Sequence, residues 1–109
     1  MKTLAIVPIV VLLTTTGASA GYLSEQQARQ KAAVFLKGGV YGRTAKIAGS
    51  RIKKAQLIKA GEASACQRVL KNPVWRFHIV VPEIDLTNGI LELDARSGAE
   101  ECSPLPGIP

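Results

Sequence analysis

The chain is poor in the residues that catalysis, metal binding and membrane insertion draw on. Aromatic residues make up 5% of its 109 positions, with one Trp, two Tyr and two Phe, and it has a single His. An enzyme needs a nucleophile, a base and a stabiliser of developing charge, and one His with no GxSxG pattern does not supply such a set. The two cysteines, Cys66 and Cys102, form no CxxC pattern, and no His stands at metal-ligand spacing from either. Zinc needs more ligands than that. Acidic residues are scarce, 8 against 14 basic, for a net charge of +6. Beyond residue 13 no apolar run approaches the roughly 20 residues of a membrane-spanning helix. The length excludes a TIM barrel or a full dinucleotide-binding fold, and the 47% apolar fraction excludes wholesale disorder.

What the chain does contain begins with an address. Lys2 precedes an apolar stretch, Leu4–Leu13, and Ala18-Ser19-Ala20 forms a small-x-small site before Gly21. Ten apolar residues span about 15 Å as a helix, half the hydrocarbon core of a bilayer, and Pro8 interrupts them. Residues 1–20 therefore read as a cleaved signal peptide, and residues 21–109 as a periplasmic or secreted protein. In an oxidising compartment the even pair of cysteines implies a Cys66–Cys102 disulfide.

Ser24-Glu25-Gln26-Gln27 has the form of a capping box, with Leu23 and Ala28 placed for a hydrophobic staple. Ala28, Ala32, Phe35 and Leu36 follow at three- and four-residue steps, and Gly38-Gly39 supplies a stop. The spacing predicts a helix over 24–37. The glycine-punctuated stretch 38–50 reads as a mobile connection, since no GxxxxGK pattern makes its glycines a phosphate loop. Residues 51–60 (RIKKAQLIKA) suit either a helix or a strand, and topology favours a strand. Residues 61–73 read as a long connection holding Cys66.

Val74–Val81 is rich in β-branched and aromatic residues, and ILELDA resumes a strand at 90–95. A two-residue turn at Asn88-Gly89 would set Glu92 and Asp94 beside Trp75 and Phe77, because a one-residue slip reverses every side chain. An odd-length loop with Gly89 left-handed restores a single apolar face and sets Arg76 and His78 against Glu92 and Asp94. His78 with those carboxylates would then make a solvated cluster rather than a metal or acid–base site. Trp75, in phase with Phe77 and Ile79, reads as core. Glu100-Glu101 reads as a solvated turn, and Ser103–Pro109 as an extended or frayed Pro-rich tail.

The helix SEQQARQKAAVFLKGG, the strand PVWRFHIV and the closing LDARSG together resemble a PepSY domain over about residues 24–99. Ser97 stands where the family's strand-ending Asp-Ala-x-Thr-Gly has Thr. The resemblance implies an α+β fold: one N-terminal helix on a three-stranded antiparallel sheet, occupying 21–102 with the tail 103–109 outside it. It also implies a non-enzymatic module without cofactor that binds or restrains a protein, such as a peptidase. No catalytic residue carries over. Asp94 and Gly98 carry over as structural positions at the strand end.

Charge adds a second expectation. Residues 21–76 hold 12 basic and 2 acidic side chains, whereas 77–109 hold 1 basic and 6 acidic. Arg43, Lys46, Arg51, Lys53, Lys54 and Lys59 would make a positive surface for a protein partner or for an anionic envelope polymer or membrane surface. No nucleic-acid-binding signature accompanies them.

Overall fold

A computed structural model describes residues 21–108, and the signal-peptide reading of 1–20 lies outside the described residues. The chain forms helix α1 (Glu25–Leu36), a 3-10 turn (Gly39–Tyr41), helix α2 (Ala45–Gly49) and strands β1 (Ile52–Ile58) and β2 (Val74–Val81). A second 3-10 turn (Pro82–Ile84), β3 (Leu86–Asp94) and β4 (Glu100–Cys102) complete it. The strands make one antiparallel sheet in the order β1-β2-β3-β4. The fold class is α+β, with four strands among the described residues rather than three. The fourth strand has too few residues to show alternation, and its Glu100-Glu101 pair disguises it as a turn.

The capping box forms as its residue types require. The Gln27 amide donates to Ser24 Oγ at 3.1 Å, and the Ser24 amide donates to Gln27 Oε1 at 2.9 Å. Ala28, Ala32 and Leu36 face the sheet, their small size at the first two positions letting the helix lie close. Phe35, expected in that stripe, is 37% exposed. With 3.6 residues per turn it falls at the stripe's rim. Ala33 is buried instead, 3.5 Å from where a Cβ on Gly49 of α2 would lie. The stretch 38–50 is ordered rather than a mobile connection. Thr44 caps α2 by accepting from the Ile47 amide at 3.2 Å, and Tyr41 and Ala48 are buried in the core. A five-residue helix is too short to reveal a period.

The register of β2 and β3 gives the single apolar face that alternation demands. Trp75 stands opposite Leu93, Phe77 opposite Leu91 and Ile79 opposite Gly89. Phe77, Ile79, Leu91 and Leu93 are buried under α1, and half-buried Trp75 packs against them while donating its indole N–H to Leu23 O at 3.0 Å. On the other face Arg76 meets Glu92 as expected, but His78 meets Ile90 and Asp94 meets Val74. The reversal is not at Asn88-Gly89. It occurs earlier, at Pro82–Asp85, after an irregularity between Ile79 and Val81, with Asp85 in the left-handed region at φ 57°.

Gly89 lies within β3, and its missing side chain has another purpose. A Cβ there would approach Leu105 Cδ2 to 2.8 Å and Ile79 O to 3.1 Å. Residues 103–108 are thus neither frayed nor outside the domain. Leu105 is buried in the core, and Tyr41 Oη donates to Pro106 O at 2.6 Å. Burial pushes the Tyr41 hydroxyl pKa up.

Candidate functional site

On the face of the sheet away from α1, the chain between β1 and β2 lies over Arg76 and Glu92. This segment folds on itself: the Gly61 amide donates to Leu70 O at 2.8 Å, the Leu70 amide to Glu62 O at 2.9 Å, and Ser64 to Arg68 O at 2.7 Å. The resulting small ribbon is pinned to the sheet by a disulfide and a buried carboxylate, with Arg68 adding a bond from its Nη2 to Glu101 O at 2.7 Å. The disulfide is the expected one, Cys66–Cys102, with Cα atoms 5.9 Å apart. The carboxylate is that of Glu92. Cys102 pairs with Glu92 across the ladder, so the bridge and ribbon seal Glu92 from solvent.

A buried carboxylate persists only when paired and hydrogen-bonded. Glu92 is both. Arg76 Nε lies 2.6 Å from Glu92 Oε2, and Ser64 Oγ donates to Oε1 at 2.7 Å. The Ala65 amide donates to both oxygens, at 3.3 and 3.2 Å. Arg76 also donates through Nη2 to Ala63 O at 2.8 Å, and the Ser64 hydroxyl accepts from the Cys66 amide at 3.0 Å. No buried side-chain polar atom lacks a partner among the described residues. Ser64 is itself buried, and its hydroxyl both donates to Glu92 and accepts from the Cys66 amide. The arrangement is built to hold a loop. The Arg76–Glu92 contact was legible from alternation, whereas nothing in the sequence marks Ser64 as its third member.

His78 does not join this cluster. Its Nε2 is 2.9 Å from Thr87 O, and with Ile90 opposite it the expected neighbourhood with Glu92 and Asp94 does not form. Among the described residues no group of three His, Cys, Asp or Glu side chains could hold a metal ion, and no helix is long and apolar enough to cross a membrane.

Asp94 ends β3, and Gly98 lies in the connection that leads to β4. Asp94 Oδ1 accepts from the amides of Arg96 at 2.8 Å and Ser97 at 2.9 Å. The Ser97 bond, more than the opposing effect of burial, holds the Asp94 carboxyl below the usual carboxylate range. The Gly98 amide donates back to Asp94 O at 2.9 Å with φ +76°, and a side chain there would run into Lys31.

The basic residues divide. Arg51 is spent on structure: it forms a two-pronged pair with Glu83 at 3.2 and 3.4 Å, tying the start of β1 to the turn after β2. A backbone hydrogen bond, aided by Arg51, lowers the Glu83 pKa. Lys53 donates to Ser50 O at 2.9 Å and is exposed. Arg43, Lys46, Lys54 and Lys59 are exposed. Arg43 and Lys46 lie at α2, while Lys53, Lys54 and Lys59 line or flank β1.

No family model matches the chain, and neither the curated proteins nor the solved structures provide a match.

Proposed function

We propose that the protein is an exported, non-enzymatic PepSY-like module that binds and restrains a protein of the envelope or the secreted fraction, with a peptidase as the partner class the family pattern implies. The observation that carries this reading is the Glu92 cluster. The most deeply placed polar chemistry of the fold is saturated and closed off, and it serves to clamp the 61–73 ribbon. What remains available is surface: a basic strand edge and the exposed lysines beside it. The Cys66–Cys102 bridge suits an oxidising compartment, in keeping with export.

The exposed cluster of Lys53, Lys54 and Lys59 favours a second reading, in which a cationic module docks on anionic envelope polymer or a membrane surface. A salt titration of binding separates the two. Attachment to an isolated protein partner should survive a rise from 50 to 200 mM salt with only a modest change. A fall of about tenfold or more over that interval marks binding dominated by anionic polymer. Turnover of any substrate that disappears in a His78→Ala variant would overturn both readings in favour of an enzyme.

A further inference from the structure

The two edges of the sheet are finished differently. The β4 edge is three residues long, and Arg68 reaches Glu101 O from the ribbon at 2.7 Å. The opposite edge, β1, runs seven residues from Ile52 to Ile58, and among the described residues no strand lies beyond it. Ile52 O accepts from Arg29 Nη1 at 3.3 Å; the other backbone groups of β1 turned away from β2 form a template for another extended chain.

The side chains along that edge select what can occupy it. Lys54, Gln56 and Ile58 share the face of Arg76 and His78, while Leu57 shares the apolar face beside Trp75 yet is 44% exposed. Pairing β1 with a copy of itself would crowd Lys53, Lys54 and Lys59 of both chains along one seam, and like charges across a seam repel. An acidic strand meets no such obstacle. Resting on the binding-module reading above, we infer that β1 is a strand-addition site for an extended acidic segment of a partner protein. Added antiparallel, the segment places an apolar residue beside Leu57, a carboxylate three positions later beside Lys54, and another two positions earlier beside Lys59. The apolar side chain covers Leu57, the carboxylates neutralise the lysines, and the backbone completes a fifth strand.

The test is an NMR titration of the purified, isotope-labelled protein with a capped ten-residue peptide of alternating Val and Thr, carrying Glu at those two positions. Amide shifts centred on Ile52–Ile58 are expected. Lys54→Glu combined with Lys59→Glu should weaken binding about tenfold, and replacing both peptide Glu by Lys should restore it on that variant. The variant's own spectrum shows that it is folded. Shifts centred on α1, equal binding by a peptide broken with a central Pro, or no shift at millimolar peptide would each overturn the inference. The broader reading survives those results if an isolated partner still cross-links to the protein away from β1, and falls with the inference if no partner binds at any surface.

Discussion

Replacing Arg76 with Leu probes the buried cluster at its most sensitive point. The change leaves the Glu92 carboxylate sealed under the ribbon with the Ser64 hydroxyl and the Ala65 amide as its partners, and removes the donor to Ala63 O. Breaking one side of a buried pair costs about 3–5 kcal/mol. The Arg76 side chain is 25% exposed, which places the loss near the lower end, at about 3 kcal/mol. For a domain of this size that lowers Tm by about 12–24 °C. The double variant Arg76→Leu/Glu92→Leu removes the stranded charge and should be more stable than the single one. It keeps a deficit of about 1–2 kcal/mol, because Ser64 and Ala65 then lack an acceptor. Urea unfolding of the oxidised protein, followed by the fluorescence of its one Trp, reads all three proteins. A double variant no more stable than Arg76→Leu, or a single variant losing under about 1 kcal/mol, would refute the clamp.

The disulfide closes a long loop, with a sequence separation of 36, so Cys66→Ala/Cys102→Ala should lose about 4 kcal/mol in the chain-entropy model, measured by the same unfolding experiment. Leu105→Ala should cost about 2–3 kcal/mol by emptying the space above Gly89, whereas a frayed tail would register no change. Asp94 has a folded pKa below its unfolded one, so its contribution is complete above about pH 4 and disappears as pH falls through the lowered folded value. Asp94→Asn should flatten the acid limb of the stability–pH curve. An unchanged limb would mean that the turn does not depend on the charge.

Most of the architecture was legible where residue type and period agree. Ser24 and Gln27 announce the start of α1, and the alternation of Trp75, Phe77, Ile79 against Leu91 and Leu93 fixes both the buried face and the Arg76–Glu92 contact. The remainder depended on tertiary context. Asn88-Gly89 has the chemistry of a turn, yet Pro82–Asp85 reverses the chain and Gly89 makes room for Leu105, a contact across the fold that no local pattern encodes. Residues Glu100–Cys102 become a strand because the disulfide and β3 hold them, and short α2 depends on burial of Ala48. Of the candidate site residues, Arg51 looked like its basic neighbours until Glu83, distant in sequence, was placed beside it. Ser64 had no signal at all, since a serine in a connection is commonplace until a buried carboxylate lies above it.

Residue-resolved hydrogen exchange of the oxidised protein bears most directly on the division between a clamped ribbon and an open strand. Amides of Ser64, Ala65 and Leu70 should be strongly protected although they lie outside the sheet, and the β1 amides directed away from β2 should exchange rapidly. Uniformly fast exchange across 61–73, or protection of every β1 amide in the isolated protein, would contradict that division.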